Sequence, residues 1–208
     1  MAGISDLPSA GPTHDATPMR AQLGILLSGS GTTYANLAEA CRDGRLDADI
    51  AVVIGSKAGL GGLAKAAAFG HKTVVASDAA DVTAALRTHG AAWVAMCGWL
   101  RFWDPPSDFA GKVVNIHPSL LPAFGGKGMY GMRVHQAVLA HGSQITGCTA
   151  HLVAGDYDGG PILAQSTVLV APTDTADTLQ ARVQLAEREL YPRVLSELFA
   201  NHFRTTPI

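Results

Sequence analysis

An asparagine and a histidine stand two residues apart in Val114-Asn115-Ile116-His117-Pro118-Ser119-Leu120-Leu121-Pro122, at the end of an apolar run and just before a proline-stiffened turn. In a β-strand, residues i and i+2 point to the same face. If the strand persists to His117, the carboxamide and the imidazole leave the sheet together. The first is a fixed hydrogen-bond donor, and the second changes charge near neutral pH. Such a pair suits a reaction that develops an oxyanion and moves a proton.

Two other segments could complete a site. Asp158 lies in Tyr157-Asp158-Gly159-Gly160-Pro161, where glycines let the chain turn tightly. An aspartate there is ordinarily a turn former; beside an Asn-x-His strand end it is also a candidate base or proton relay. Ser28-Gly29-Ser30-Gly31-Thr32-Thr33 links an apolar run to a helical stretch, and backbone N–H groups at a helix N-terminus attract phosphate. Tyr34 stands where a dinucleotide fingerprint needs its third glycine, and Gly55-Ser56-Lys57 supplies no acid for a ribose, so an NAD-dependent oxidoreductase is disfavoured. No Gly-Lys-Ser/Thr follows, which excludes a P-loop. A monophosphate site aided by the Ser30, Thr32 and Thr33 hydroxyls and an ordinary tight turn both remain open. His151 reads as a packed or turn-facing histidine. His135 and His141 are six residues apart on a helix and share no face. No cluster has metal-ligand spacing, so no metal is expected.

The elements that must position these residues alternate. Strands are expected at Leu23 to Leu27, Ile50 to Ile54, Lys72 to Val75, Ala92 to Cys97 and Val113 to Ile116, with helices at Thr32 to Arg42, Ala58 to Phe69 and Ala79 to His89. That order implies an α/β fold: an open three-layer sheet, parallel and Rossmann-like in its N-terminal half. After a helix from Met132 to His141 the pattern changes. Thr146 to Val153 and Ile162 to Val170 are joined too briefly for a crossover helix, so these strands are expected to be antiparallel. A long C-terminal helix follows Pro172, with Leu179, Val183, Ala186, Leu190, Val194 and Leu198 as one apolar stripe. Asp174 or Thr175 can cap it, and Pro192 should kink it or divide it in two.

Composition bounds the rest. The 208 residues are 48% hydrophobic and 15% charged, which marks a globular chain. A formal net charge of -2 without a basic run disfavours bulk nucleic acid and anionic membrane as partners. Cys41, Cys97 and Cys148 are widely spaced and read as reduced, mostly buried thiols. Residues 1–20 read as a flexible N-terminal extension without a signal pattern, residues 21–208 as a single domain, and the location as cytoplasmic. Whether the chain is a monomer or a homodimer is open.

The glycine loop at 28–33, the Asn115-Ile116-His117-Pro118-Ser119-Leu120-Leu121-Pro122 run and Tyr157-Asp158-Gly159-Gly160-Pro161, in that order, resemble the 10-formyltetrahydrofolate-dependent formyltransferases. Gly125-Gly126-Lys127-Gly128-Met129-Tyr130-Gly131 and Arg182-Val183-Gln184-Leu185-Ala186-Glu187 are similar to the phosphoribosylglycinamide branch. Chain size points the same way, because transfer-RNA formyltransferases and formyltetrahydrofolate hydrolases usually carry an extra domain. The resemblance implies the formyltransferase fold. It also implies transfer of a formyl group from 10-formyltetrahydrofolate, the co-substrate, to the amine of glycinamide ribonucleotide in de novo purine biosynthesis. By position it implies that Asn115, His117 and Asp158 are catalytic, that Gly31, Thr32 and Thr33 bind the substrate phosphate, and that Gln184 and Glu187 meet the rest of that substrate. Leu100, Arg101, Phe102 and Trp103 correspond to the segment whose backbone grips the pterin, and Gly155, Asp156 and Tyr157 to the folate-binding loop. The Leu121–Pro122 bond is expected to be cis. Thr32-Thr33 stands where many members have Ser-Asn, and the segment from Asp78 to Ala91 is shorter than usual. Three alternatives stand beside this resemblance: formyl transfer to another amine such as a sugar nucleotide, a formyltetrahydrofolate hydrolase, and a non-catalytic folate- or nucleotide-binding module.

Overall fold

The computed structural model describes residues 20–205. Residues 1–19, most of the expected extension, lie outside the described residues. Arg20 is tied down: its guanidinium meets Asp47 and Asp49 and donates to the carbonyls of Cys41 and Leu46.

Seven strands form one sheet. They are β1 (Ala21–Leu27), β2 (Ala48–Gly55), β3 (Thr73–Val75), β4 (Trp93–Met96), β5 (Val113–His117), β6 (Ile145–Leu152) and β7 (Ile162–Leu169), in the spatial order β3-β2-β1-β4-β5-β6-β7. Pairings from β3 through β5 are parallel, while β5–β6 and β6–β7 are antiparallel, as the short connection between the last two strands requires. The helices are α1 (Thr32–Arg42), α2 (Gly61–Ala68), α3 (Ala79–Thr88), α4 (Met132–His141) and α5 (Ala176–Thr205).

Two cores make the three layers. Leu23, Ile25 and Leu27 of β1 pack with Leu37, Leu179 and Val183 on one face; Leu26, Val52 and Val94 pack with Val82 and Leu86 of α3 on the other. Central strands buried on both faces read as unbroken apolar runs, and β1 was legible for that reason. Parallel strand order reverses between β1 and β4, and in open α/β sheets a crevice forms beyond the strand C-termini at such a switch point.

Helix α5 is not divided at Pro192, as one form of the expectation had it. It runs through the proline as one 30-residue helix. Pro192 cannot donate to the carbonyl of Arg188, four residues back, and Asn36 Nδ2 of α1 donates to that carbonyl instead at 3.0 Å. Next to the proline, the buried Tyr191 hydroxyl reaches the carbonyls of Met96 and Val114, which pins α5 to β4 and β5. The start of α5 is capped as anticipated. Thr175 Oγ1 accepts from the Thr178 N–H, and Asp174 accepts from the Thr178 hydroxyl. Among the described residues no helix is long and apolar enough to cross a membrane.

The β6–β7 ladder has no room at Gly147, where an added Cβ would lie 1.9 Å from the backbone oxygen of Ser166. Gly147→Ala is expected to destabilise the fold by about 1–3 kcal/mol, read as a lower urea midpoint with an unchanged slope.

Candidate functional site

Strand β5 does persist to His117, and it places Asn115 and His117 on one face. Antiparallel pairing sets Asn115 opposite His151 and His117 opposite Thr149. The turn after β5 bends back through a cis Leu121–Pro122 bond, as the resemblance implied. Thr149 Oγ1 holds that turn by accepting from the Leu121 N–H and donating to the Ser119 carbonyl, while Gln165 Nε2 donates to the Leu121 carbonyl. The returning chain brings the Phe124 carbonyl to 2.9 Å from His117 Nε2, so the ring donates there and turns Nδ1 towards Asp158.

Asp158 arrives from the β6–β7 connection with a left-handed backbone, φ 56°. Its side chain is only 12% exposed. Oδ2 accepts from the Gly126 N–H at 2.9 Å and lies 3.4 Å from His117 Nδ1; Oδ1 lies 3.5 Å from both Asn115 Nδ2 and His151 Nε2. Burial alone would raise the Asp158 pKa, but His151, His117 and the Gly126 N–H outweigh it and hold the carboxyl below its ordinary range. Asp158 is therefore an ionised carboxylate and more than a turn former.

His117 is not the imidazolium that a neighbouring carboxylate by itself would favour. Burial lowers its pKa, and Asp158 and the Phe124 carbonyl pull upward without overcoming that effect. The ring is neutral near pH 7 in this geometry.

His151, expected to be a packed or turn-facing residue, belongs to the cluster. Its Nδ1 donates to the Leu152 carbonyl, and its Nε2 lies between Asn115 Nδ2 at 3.1 Å and Asp158 Oδ1 at 3.5 Å. Asn115 thereby has one amide hydrogen fixed, while the other makes only a long approach to Asp158. No spacing in the chain marks His151; its role comes from strand register alone.

The glycine loop lines the same cleft. Gly31 is the N-cap of α1, in left-handed conformation, and makes no side-chain cap hydrogen bond; no acidic residue occupies the first turn. The N–H groups of that turn are thus open to an anion. A Cβ on Gly31 would lie 2.4 Å from Gly62 Cα, so glycine is needed for both the turn and the close packing of α1 against α2. The Ser30 and Thr32 hydroxyls lie 3.2 Å apart beside it, whereas the Ser28 hydroxyl is used to hold the Leu100 N–H.

A cavity of about 570 Å³ joins these parts. It is lined both by Gly31, Thr32 and Thr33 of the glycine loop and by Asn115, His117 and Asp158. Gln184 and Glu187 of α5 flank it, and Leu100 and Tyr157 reach its rim. Gln180, not singled out by sequence, also lines it, as does His135, whose spacing from His141 had not suggested a ligand. Burial pushes the Glu187 carboxyl up to about 7.

The remaining residues matched to folate binding gather elsewhere. Arg101, Phe102, Trp103, Gly155 and Asp156 surround a cavity of about 60 Å³ that shares Trp99, Asn115, Tyr157 and Asp158 with the larger one. That space is far below the ~300–1,000 Å³ typical of ligand pockets. The Phe102 and Tyr157 rings, 5.4 Å apart, bridge the two segments. The Trp103 side chain is buried against Phe109 and donates to Thr83 Oγ1, so only its backbone is free to meet a ligand. Trp99, between the cavities, has an enclosed indole N–H with no hydrogen-bond partner. Among the described residues no group of three or more His, Cys, Asp or Glu is placed to hold a metal ion.

Residues 21–195 match the formyl transferase family model. The chain is 36% identical over 200 residues to the chloroplastic phosphoribosylglycinamide formyltransferase of Arabidopsis thaliana, covering 90% of this chain and 68% of that protein. Among solved structures, glycinamide ribonucleotide transformylase 1 of Symbiobacterium toebii superposes with a TM-score of 0.80 at 34% identity, covering 88% of this chain and 89% of that one. The phosphoribosylglycinamide formyltransferase of Brucella melitensis gives 0.77 at 36% identity, covering 91% and 98%.

The raised Glu187 pKa has a consequence for stability. A group whose folded pKa exceeds its unfolded value contributes stability that is present below the unfolded pKa and lost as pH rises through the folded one. For Glu187 that window runs from 4.5 to about 7. Glu187→Gln should therefore match the parent near pH 4 and exceed it by up to about 3 kcal/mol above pH 8, measured by urea unfolding at both pH values.

Proposed function

Because the chain belongs to the formyl transferase family, and within it to the phosphoribosylglycinamide formyltransferases, we propose that it transfers the formyl group of 10-formyltetrahydrofolate to the amine of glycinamide ribonucleotide, in purine biosynthesis and in the cytoplasm. One observation carries this reading: a single cavity is lined by an open helix N-terminus and by the Asn115, His117 and Asp158 group. A phosphorylated amine spans such a cavity with its phosphate on Gly31, Thr32 and Thr33 and its amine at the charged end. Gln184 and Glu187, one turn apart on α5, face the part between. The formyl donor approaches from the side of Trp99 and Tyr157, whose segments border both cavities. The unpartnered Trp99 N–H suits a heteroaromatic ring that carries acceptors. The small cavity requires Phe102 and Tyr157 to part before such a ring enters.

The chemistry follows from what each side chain can do. As the amine nitrogen bonds to the formyl carbon, negative charge grows on the formyl oxygen. Asn115 meets it with the amide hydrogen that makes only the long approach to Asp158. The amine must also lose a proton. Asp158 is ionised in the resting site, and the neutral His117 beside it can accept that proton, with the carboxylate then stabilising the imidazolium. The bond from the formyl carbon to the donor nitrogen breaks as that nitrogen takes up a proton. No covalent enzyme intermediate and no metal enter this account.

Steady-state kinetics test it. Asn115→Ala, His117→Ala and Asp158→Asn are each expected to lower kcat by ~10²–10⁴-fold with folding retained by circular dichroism. Near-normal turnover in any of them removes that residue from the mechanism. Faster formyl release to water or to a sugar-nucleotide amine than to glycinamide ribonucleotide would displace the acceptor assignment.

A further inference from the structure

His135 is the one side chain of the main cavity with a buried, unbonded ring that the proposed mechanism does not use. It sits in the first turn of α4, is 1% exposed and lines the cavity. Its Nδ1 is enclosed without a hydrogen-bond partner; Nε2 is likewise unbonded among the described residues but is not enclosed. Polar side-chain atoms left this way are rare in folded proteins, and each one asks for a missing ligand, ion or water.

The surroundings decide which atom does what. Burial, and then the neighbouring His117, keep the ring neutral. A neutral imidazole carries one N–H and one bare nitrogen. An enclosed N–H with nothing to donate to is the costlier orphan, so the proton belongs on Nε2 and Nδ1 keeps the unused lone pair. His135 therefore offers a hydrogen-bond donor to the cavity.

We infer that His135 is a substrate-positioning residue whose Nε2–H donates to the amide carbonyl oxygen of the acceptor. This rests on the acceptor being glycinamide ribonucleotide, as proposed above. His135 lines the cavity that holds Gly31 and Gln184, and not the smaller one bordered by Arg101 to Trp103, so it faces the acceptor and not the formyl donor. Its electrostatic contact with His117 puts it near the reacting end. Between its ribose and its amine the acceptor has one hydrogen-bond-accepting oxygen, the amide carbonyl. Fixing that oxygen limits rotation of the short aminomethyl arm and holds the amine towards the formyl carbon.

The test compares two ligands that differ in this group. His135→Leu is expected to weaken glycinamide ribonucleotide binding by about five- to tenfold in calorimetry and to leave the Kd for ribose 5-phosphate, which lacks the amide, unchanged. His135→Gln, which keeps an N–H donor, should recover most of the loss. No change with either ligand, or equal weakening of both, overturns the inference. Wild-type protein labelled with 15N-histidine gives a readout that needs no variant. The His135 Nε2 signal should move with glycinamide ribonucleotide and stay with ribose 5-phosphate; movement with both or with neither overturns the inference. Formyl transfer to glycinamide ribonucleotide by the same wild-type preparation separates the two claims. Transfer with an unmoved His135 defeats only the positioning role, whereas absence of transfer defeats the function and the role together.

Discussion

A carboxylate withdrawn from water must be surrounded by donors or charges, or it protonates. Asp158 is withdrawn and remains ionised, and much of the local architecture supplies what surrounds it. Strand β5 brings Asn115 and His117, strand β6 brings His151, and the turn after β5 brings the N–H of Gly126. Each comes from a different segment, so the site exists only when β5 and β6 are paired in register and the turn is folded back. The antiparallel end of the sheet carries the Asn115, His117 and Asp158 cluster, and the parallel end carries the uncapped N-terminus of α1.

Close backbone packing enforces that arrangement. Gly160, just past Asp158, has no room for a side chain, since a Cβ there would lie 1.8 Å from the Leu152 carbonyl oxygen. The loop carrying Asp158 is thereby pressed against the end of β6. On the opposite side of the cavity, Gly31 and Gly62 meet backbone to backbone and set the height of the α1 N-terminus. Helix α5 lines the cavity through Gln180, Gln184 and Glu187. Tyr191 anchors it beneath β4 and β5, and Asn36 satisfies the carbonyl that Pro192 leaves free. The helix is continuous through the proline, and a neighbouring helix supplies the donor that Pro192 lacks.

Polar neutrality and charge are divided within the cavity. His117 and His135 are kept neutral by burial, Asp158 is kept charged by its partners, and Glu187 sits near its midpoint at neutral pH. Such a division gives one group able to accept a proton beside one able to stabilise the resulting charge, without any large displacement of the chain.

The strand and helix order, the antiparallel turn of the last strands and the same-face placement of Asn115 and His117 were legible because periodicity and connection length are local properties. The glycine loop was legible as an anion seat or a turn, since its own residues decide whether N–H groups are free. Proximity was a different matter. The resemblance could bring Asp158 to His117, but nothing in spacing marked His151, which enters only through its register opposite Asn115. Nor could a helical histidine such as His135 be told from a packing residue before its unbonded ring was seen at the cavity wall. The charge state of His117 was likewise undecidable, because burial and the Asp158 field oppose each other and their balance depends on distances between segments far apart in the chain. By itself, then, the sequence determined which elements form and which residues they carry, because those follow from local pattern. Which side chains meet, and in what protonation state, was decided by the tertiary structure alone, because both depend on register, burial and distance.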